Sequence, residues 1–457
     1  MKKTAIVLLC LTALIFGFQA AKDTDFGWHF RCGKELLAGR PCMENNYSYF
    51  LPDYKAYYPG FVYDTLLAIN YDHFGFTGLS LINSLILLLS VVSLYRLLKG
   101  PFWLKVILPL LVLLTPGPSI AIGLRPQVVS FLFFLLALNI AELSLKKYRY
   151  LYLLPLLFIL WVNTHIGFIA GIFLLPGIFL NHKLRNLRHI VLPFLMILAA
   201  TFINPFGPKV YLEIFRHLQA PLAATIAEWV APPLWLKGMI VFLVLELILF
   251  LHLRKQLTWP SLANLLIFTI LSYLGIRNLI FLSTFLVIYF SRCIPDKKVP
   301  DRRLPILAIL TMIVFLVIFS KNLTQTANFN SKWENYCAEG QIPYPCEFIK
   351  KYPDLKGNVF AMYEWGGFLI WKLPDIKVFA DGRTPSWLDE NGKSTYEVLL
   401  VILQAQPSWN EKLTETETDY LLIGPGTFLD IKLSEDPEQY QWKQLYRDNT
   451  AVFYAKL

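Results

Sequence analysis

The chain has 457 residues, of which 56% are hydrophobic and 16% charged, and its mean hydropathy is +0.49. Soluble globular proteins carry about 25% charged residues, so the composition excludes an ordinary soluble protein and indicates a polytopic α-helical membrane protein. The net charge of +10 does not indicate a nucleic-acid-binding protein, because the cations are unevenly distributed. From Lys321 onward there are 14 Lys+Arg against 19 Asp+Glu, and the basic excess lies in the first 320 residues.

The chain begins with an apolar segment, residues 1–21, which starts with a basic pair and ends in small residues. A retained first helix and a cleaved signal peptide both have this pattern, and we favour the retained helix. In either case we predict that the residues after Lys22 are exported. They form a long loop, 22–78, whose first residues A-K-D-T-D-F-G-W-H-F place Asp23 and Asp25 directly after the apolar segment.

Ten more apolar segments follow, and with the first they predict about eleven transmembrane helices. They lie at about 79–98, 102–116, 127–145, 149–164, 165–181, 189–204, 234–253, 258–275, 277–292 and 304–320, and the short ones at 102–116 and 165–181 also fit re-entrant helices. With the N-terminus inside, the loop 22–78 and the chain beyond residue 320 are outside. Every second connecting loop is rich in Lys and Arg, as the positive-inside rule requires. We therefore predict a transmembrane domain over 1–320.

Residues 321–457 have the pattern of a small soluble α/β domain. A helix is predicted over 394–406, and the strand-like stretches are G-N-V-F-A-M-Y, F-L-I-W-K-L-P, I-K-V-F-A-D-G, D-Y-L-L-I-G-P-G and T-A-V-F-Y-A-K-L. Gly366-Gly367 indicates a turn between two strands. Asp381-Gly382-Arg383 closes the next strand, and we favour a structural ion pair there over a catalytic role.

Two close pairs of cysteines, Cys32/Cys42 and Cys337/Cys346, fall in segments that the topology places outside the cytoplasm. Disulfides form in such compartments. The sequence leaves disulfides and free thiols about equally open, and neither pair has the spacing of metal ligands.

Strongly polar side chains near membrane depth are costly and often mark functional sites. In the predicted topology such residues gather on the outer side: Asp23, Asp25, Arg125, Gln127, Asn163, His165, Asn204, Glu228, Trp229, Arg277 and Asn278. A transporter would place them near the midplane, so the one-sided set favours chemistry at the outer surface. Each residue also has a structural interpretation: arginines reach headgroups, tryptophans form interfacial belts, and Asn204-Pro205 with Gly207 is a turn signal.

The set combines carboxylates with arginines. Arginines bind phosphate through bidentate, charge-assisted hydrogen bonds, and a carboxylate can act as a general base towards an attacking hydroxyl or amide. Together they suit displacement at the anomeric carbon of a sugar whose leaving group is a lipid-linked phosphate.

At these residues the sequence resembles the GT-C superfamily of integral-membrane glycosyltransferases, which use polyprenyl- or dolichyl-phosphate-linked sugars. Within it, the chain is similar to a bacterial set whose first outer loop opens D-x-D-x-W-W-H, matched by Asp23, Asp25, Trp28 and His29, with Gly27 in place of the first tryptophan. Further motifs of that set are matched in order by Arg125-Pro126-Gln127 with Ser130, by Asn163, His165 and a displaced Gly167, by Asn204-Pro205 with Gly207, by Glu228-Trp229 and by Arg277-Asn278. The set's H-E-W-L motif is absent, and Asp64 is a substitute for its acid. In the tail, Y-E-W-G-G-F-L-I-W-K-L-P-D-I-K-V-F-A-D-G-R is similar to the outer-domain segment of this set.

The resemblance implies a GT-C-like helical membrane protein with an extracytoplasmic α/β domain, acting as an inverting glycosyltransferase on the outer face of the cytoplasmic membrane. We predict Asp25, or Asp23, as general base, and Arg125, Gln127, Arg277 and Asn278 as donor-phosphate ligands. Substrate-orienting residues would be Trp28, His29, Asp64, Asn163, His165, Asn204, Glu228 and Trp229. Acceptor-binding residues in the outer domain would be Tyr363, Trp365, Asp381 and Arg383.

The expected donor is a polyprenyl-phosphate sugar, the acceptor is a glycan, a lipid or a protein, and no nucleic acid is involved. A divalent metal, Mg²⁺ or Mn²⁺, held by Asp23 and Asp25 is a less favoured alternative, because D-x-D alone is a weak metal motif. Two other functions stay open: a transporter or flippase for a lipid-linked glycan, and a non-catalytic membrane assembly protein.

Overall fold

A computed structural model describes residues 2–40, 42, 46–115, 123–182, 188–220, 229–295, 303–338, 343–436 and 439–457. The chain folds into two compact units, each assembled from three separate segments. The first unit comprises Met1–Ala21, Phe76–Pro208 and Ile226–Ala327. The second unit comprises Lys22–Gly75, Lys209–Thr225 and Asn328–Leu457. The predicted domain boundary at residue 320 stays a prediction.

The first unit is helical. Its helices are α1 (Lys2–Gly17), most of α3 (Phe61–Leu97), α4 (Phe102–Leu113), α5 (Pro126–Ser144), α6 (Leu153–Val162), α7 (Phe168–Leu180), α8 (Arg188–Ala200), α10 (Leu234–Leu253), α11 (Trp259–Leu274), α12 (Leu279–Cys293) and most of α13 (Arg303–Asn330). Every predicted apolar segment overlaps one of these described helices. Many side chains on them are large, apolar and exposed, as on a surface that faces lipid.

Five of the described helical segments are long and apolar enough to cross a membrane. They are Phe61–Leu97, Pro126–Ser144, Leu234–Leu253, Ile276–Cys293 and Ala308–Asn330, and five further apolar helices are shorter. The chain is therefore a membrane protein. The total of about eleven spans, the orientation of the termini and the side on which each loop lies stay predictions.

The segment 22–78 is more ordered than the predicted loop. It contains α2 (Phe26–Leu37), and α3 begins at Phe61 rather than near residue 79. The helical geometry of α3 is interrupted at Gly75, where φ is 58° and ψ is −154°. The prediction was wrong here because Asp64 and Asp72 break the apolar run, which marks polar surroundings and not the end of a helix.

The second unit contains a five-stranded sheet with the order β2-β1-β3-β5-β4. The strands are β1 (Gly357–Ala361), β2 (Ile376–Val378), β3 (Tyr420–Ile423), β4 (Trp442–Arg447) and β5 (Val452–Lys456). β1 pairs in parallel with β2 and β3, whereas β5 is antiparallel to β3 and β4. Apolar side chains of the strands and of α17 (Thr395–Leu403), α18 (Trp409–Glu415) and α19 (Phe428–Glu435) form its core. The predicted α/β fold of the C-terminal part is thus present, with β4 as a strand that the sequence did not indicate.

One predicted strand is a helix. The stretch F-L-I-W-K-L-P lies largely in α16 (Gly366–Lys372), so Gly366-Gly367 begins a helix instead of forming a turn between strands. A run of four apolar residues fits a buried strand and a short buried helix equally. The buried side chains of Phe368, Leu369 and Ile370 are consecutive, and a helix in contact on several sides buries such a run.

Three further α-helices are described in the second unit. They are α9 (Lys209–Gln219), α14 (Asn335–Ala338) and α15 (Cys346–Lys351). Residues 47–49 extend the sheet beside β2, because the Val378 amide donates to Tyr47 O at 2.8 Å and the Tyr49 amide donates to Val378 O at 3.2 Å. Both cysteine pairs, Cys32–Cys42 and Cys337–Cys346, are disulfides.

Candidate active site

Asp25 lies in the second unit, immediately before the first residue of α2. Its own amide donates to Oδ1 of Asp23 at 3.2 Å, so the buried Asp23 carboxylate folds back on the backbone and shapes the turn. A carboxylate at the beginning of a helix is stabilised by the helix dipole. The two aspartates therefore have different surroundings: Asp23 holds the turn, and Asp25 is carried at the helix terminus.

The Asp25 carboxylate lies against Gly382 of the Asp381-Gly382-Arg383 loop. A Cβ atom at position 382 would overlap Oδ1 of Asp25 and lie 2.6 Å from its Cγ. The loop follows β2, so the second unit brings a residue of the first predicted outer loop into contact with the tail. The sequence had indicated both motifs, but not that they touch.

His29 and Asp64 form a buried pair beneath this turn. His29 Nδ1 and Asp64 Oδ1 are 2.5 Å apart, and the two residues are 2% and 1% exposed. α2 and α3 approach closely because Gly33 has no side chain: a Cβ there would overlap the Asp64 carbonyl oxygen and lie 2.7 Å from Ala68 Cβ. The carboxylate acceptor fixes the orientation of the imidazole, as in other carboxylate–histidine pairs.

Aromatic side chains surround the pair. The Trp28 ring stacks on His29 with centroids 3.6 Å apart, and Tyr58 meets Trp28 edge-on at 5.1 Å. Burial raises the pKa of Tyr58 well above its ordinary value, and the nearby carboxylates, Asp64 first, raise it further. The Tyr58 hydroxyl is therefore protonated throughout the physiological range. Tyr58 was not predicted from the sequence.

The four predicted outer-domain residues have mainly structural contacts. Arg383 grips Asp381 with two side-chain bonds, from Nε to Oδ1 at 2.8 Å and from Nη2 to Oδ2 at 2.7 Å. Burial alone would lower the pKa of Arg383, but the Asp381 charge and hydrogen bonds raise it above its ordinary value. Trp365 is buried and its Nε1–H donates to Pro343 O at 2.8 Å. The structural ion pair favoured from the sequence is thus present.

Tyr363, the fourth of these residues, is half-buried and packs edge-on against Tyr396 at 4.9 Å. Burial raises its pKa well above the ordinary value, and the charges of Asp25 and Asp381 add to that effect. Tyr363 is accordingly close enough to both carboxylates to interact with them electrostatically, and its hydroxyl stays protonated.

In the first unit, Arg125 precedes α5 and is 6% exposed. Pro126 occupies the first helical position, where a backbone N–H would have no partner within the helix, so its absence in proline costs no hydrogen bond. The neighbouring Gln127 has a buried Oε1 that accepts no hydrogen bond from the described residues. A buried amide oxygen of this kind has unused capacity to accept a hydrogen bond.

His165 belongs to a network in the first unit. Its Nδ1 lies 2.7 Å from Ser130 Oγ and accepts from the Gly167 amide at 3.1 Å, while Trp161 Nε1–H donates to Ser130 Oγ at 2.8 Å. Because Nδ1 accepts from an amide, the network assigns the imidazole proton to Nε2. A Cβ at Gly167 would lie 2.5 Å from Nδ1, which explains the glycine two residues after the histidine.

Arg277 is stacked on Trp229, with its guanidinium carbon 3.3 Å from the ring centroid. The Ile276 amide donates to Val230 O at 3.1 Å. This backbone hydrogen bond joins the residues next to Arg277 and Trp229 and so supports the stacked pair. The predicted partner Asn278 donates to Leu271 O at 2.9 Å, which caps the end of α11. Glu228 lies outside the described residues.

Asn163 and Asn204 are turn residues. Asn163 Nδ2 donates to Ile159 O and Ile203 O at 2.8 and 2.7 Å, and joins the ends of α6 and α8. Asn204 donates to Thr201 O and Gly207 O and accepts from the Phe206 amide at 2.9 Å. Both amides are occupied in supporting the backbone, in agreement with the turn signal seen in the sequence.

The described residues do not form a site for the Mg²⁺ or Mn²⁺ considered for Asp23 and Asp25. Among the described residues, no three His, Cys, Asp or Glu side chains form a group that could hold a metal ion. Asp23 already accepts from a backbone amide and His29 is engaged with Asp64. We therefore derive no step through a metal.

No protein-family model matches the sequence, and no curated protein sequence matches it. Solved structures of an oligosaccharyltransferase from Archaeoglobus fulgidus do match the fold. Its apo form gives a TM-score of 0.62 over 92% of this chain and 69% of that chain, at 12% identity. A complex of this oligosaccharyltransferase, AglB, with an inhibitory peptide and a dolichol-phosphate gives 0.59 over 100% and 74%, at 13% identity. A form tethered to an acceptor peptide with the NVT sequon gives 0.58 over 100% and 74%, at 13% identity.

The chain shares its fold with this oligosaccharyltransferase. This agrees with the helical membrane architecture that the resemblance implied. The narrower likeness to a bacterial set with D-x-D-x-W-W-H stays a prediction. The structure accounts for one departure from that motif, because a Cβ at Gly27 would overlap the Gly367 carbonyl oxygen. Tryptophan has no room there.

Proposed function

We propose that the chain is an inverting glycosyltransferase that moves a sugar from a polyprenyl-phosphate-linked donor to an acceptor at the outer face of the cytoplasmic membrane. The observation that carries the proposal is the Asp25 carboxylate, fixed at the beginning of α2 against Gly382 in a chain with this fold. A base of this kind must be held in one place, since misplacement of a reacting group is costly.

The reaction is a single displacement. The acceptor's nucleophilic oxygen or nitrogen attacks the anomeric carbon, and its proton passes to the Asp25 carboxylate. The bond from that carbon to the phosphate oxygen breaks on the opposite face, and polyprenyl phosphate or diphosphate leaves with the electron pair. Asp23 is the second choice for the base, because its carboxylate already accepts from the Asp25 amide.

We assign the leaving phosphate to Arg125, Gln127, Arg277 and Asn278. Stacking on Trp229 engages the face of the Arg277 guanidinium, while a phosphate binds the N–H groups in its plane. The stack therefore orients a phosphate ligand without competing for the same surface. Asn278 contributes by capping α11, next to the arginine it would help to place.

The acceptor in this proposal is a protein segment. The support is that the fold is shared with an oligosaccharyltransferase solved with an inhibitory peptide and with a tethered acceptor peptide. Trp365 and Asp381 are buried and hydrogen-bonded, and the side chain of Arg383 is 9% exposed and paired with Asp381. Of the predicted outer-domain residues we therefore keep the half-buried Tyr363 as an acceptor contact.

The test is a transfer assay with purified protein in lipid nanodiscs. The donor is a lipid extract of the native membrane, and separate arms offer peptide, glycan and lipid acceptors. We expect release of polyprenyl phosphate or diphosphate, detected by mass spectrometry, together with a glycosylated peptide. Glycosylation of another acceptor would correct the acceptor class. Donor that stays intact in every arm would contradict the proposal, and donor moved intact across the membrane would favour a flippase.

A further inference from the structure

We infer that the loop Asp381-Gly382-Arg383 positions the Asp25 carboxylate. Gly382 leaves space for the carboxylate, and the ion pair between Asp381 and Arg383 holds the loop in place. The inference rests on the proposed function, because it takes Asp25 as the base. Part of the catalytic geometry is thereby assigned to the sheet of the second unit.

Glycine is required at position 382 because a side chain there would have no space. Gly382 is not among the glycines with positive φ, so its backbone conformation is open to any residue. The three atoms nearest to a Cβ at this position all belong to the Asp25 side chain: the Cβ would overlap Oδ1 and lie 3.1 Å from Oδ2. The two oxygens of the carboxylate thus lie directly above the bare backbone of the loop.

The loop itself is rigid. Asp381 is fully buried, and it accepts from the Arg383 amide at 3.0 Å as well as from the Arg383 side chain. Thr384 Oγ1 donates to Asp381 O at 2.9 Å. The Arg383 guanidinium lies over the rings of Tyr47 and Trp387, 4.7 and 5.5 Å from their centroids. A loop with this many bonds cannot easily move away from the carboxylate.

The backbone that carries Asp25 is fixed by a second contact. A Cβ at Gly27 would overlap the Gly367 carbonyl oxygen, and a Cβ at Gly367 would overlap the Thr24 carbonyl oxygen. The turn before α2 therefore packs backbone to backbone on the first turn of α16. The two contacts hold the main chain at residues 24–27 and the carboxylate at its end.

The two contacts respond differently to substitution. At Gly367 an alanine meets a backbone oxygen, which can move only with the chain. At Gly382 an alanine meets the end of a short side chain, which can rotate. Gly382→Ala is thus the substitution that moves the carboxylate while the fold is kept. Gly424→Ala is a matched control in the same domain, because its Cβ would have only an ordinary contact, 3.6 Å from Thr427 Cγ2.

The experiment measures transfer kinetics for Gly382→Ala, Gly424→Ala, Asp25→Asn and the double variant Asp25→Asn/Gly382→Ala. We expect Gly382→Ala to lower kcat roughly 100-fold with an unchanged KM for the donor, and Gly424→Ala to match the wild type. The double variant should be no slower than Asp25→Asn alone, because the displaced group is already inactive. Wild-type kcat in Gly382→Ala, or a further loss in the double variant, would overturn the inference.

A second measurement does not depend on activity. Thermal unfolding of the purified protein should show a lower Tm for Gly382→Ala in the wild-type background and no such lowering in an Asp25→Ala background. Equal Tm changes in both backgrounds would contradict the contact. Absence of transfer by the wild type would instead contradict the proposed function. The comparison of Tm changes in the two backgrounds would still show whether Gly382 contacts the Asp25 carboxylate.

Discussion

The candidate residues of the two units are held in different ways. In the second unit, contacts between distant parts of the sequence fix the acidic residues: Asp25 meets Gly382, and His29 pairs with Asp64. In the first unit, Asn204 and Asn278 bond to carbonyls that are near in sequence, whereas Arg277 stacks on the more distant Trp229. Substitution of a carboxylate held in a tertiary contact is expected to change both activity and stability. Substitution of a candidate residue of the first unit should change activity with little change in stability.

The largest effect is expected for Asp25→Asn, which tests the chemical side of this difference. Loss of a general base typically lowers the rate by about 10²–10⁴-fold, so kcat in the transfer assay should fall within that range. Asp53→Asn is the control, because Asp53 is an exposed aspartate of the same segment. Turnover of Asp25→Asn at the wild-type rate would end the assignment of the base.

Next in size are Arg277→Ala and Arg125→Ala in the first unit. A charge-assisted hydrogen bond contributes about 1.5–3 kcal/mol, which corresponds to roughly a 10- to 100-fold weaker donor affinity. The KM for the donor, or a direct binding measurement with labelled polyprenyl phosphate, reports the change. The exposed Arg254 provides a control substitution to alanine. Unchanged donor affinity in both variants would remove the phosphate assignment.

Asp64→Ala tests the stability side of the comparison. It removes the acceptor of a buried imidazole, and an unsatisfied buried polar group costs about 1–3 kcal/mol. We expect a lower Tm in detergent. Asp72→Ala is the control, because the pair Lys34–Asp72 is exposed and such pairs contribute about 0–1 kcal/mol. If the two variants lose the same stability, the buried pair is not a structural centre of the second unit.

The smallest effect concerns pH and the sheet domain. Burial alone would raise the pKa of Asp430, but hydrogen bonds from Tyr454, the Gly426 amide and Arg447 lower it below its ordinary value of 3.8. A lowered folded-state pKa contributes stability above 3.8 that is lost as the pH falls through the folded-state pKa. Tm should therefore decrease below about pH 4, and less steeply in Asp430→Asn. Equal slopes in the two proteins would contradict this role.

Much of the helical architecture could be predicted, because an apolar run long enough to span a bilayer is a strong signal. The strands around Val359, Val378 and Leu421 were predicted as well, since they are apolar runs with turn residues at their ends. The stretch over Phe368–Trp371 was misassigned, because so short an apolar run does not distinguish strand from helix. Gln444 and its neighbours in β4 have mostly exposed side chains, which gave no strand pattern.

The candidate site was predictable as a list of residues and not as an arrangement. The motifs named Asp25 and the Asp381-Gly382-Arg383 loop, but nothing local indicates that residue 25 faces residue 382. Gly27 departs from the motif, and its close contact with Gly367 explains the departure. Whether a position requires glycine for lack of space depends on which residue lies opposite it in the fold, and the sequence does not indicate that residue.

The central claim is a single displacement with Asp25 as base, and the anomeric configuration of the product tests it most directly. Nuclear magnetic resonance of the sugar transferred by purified wild-type protein, compared with the donor, gives the answer. We expect an inverted configuration. Retention would require a second displacement through another group on the protein or the substrate, and would contradict the role given to Asp25.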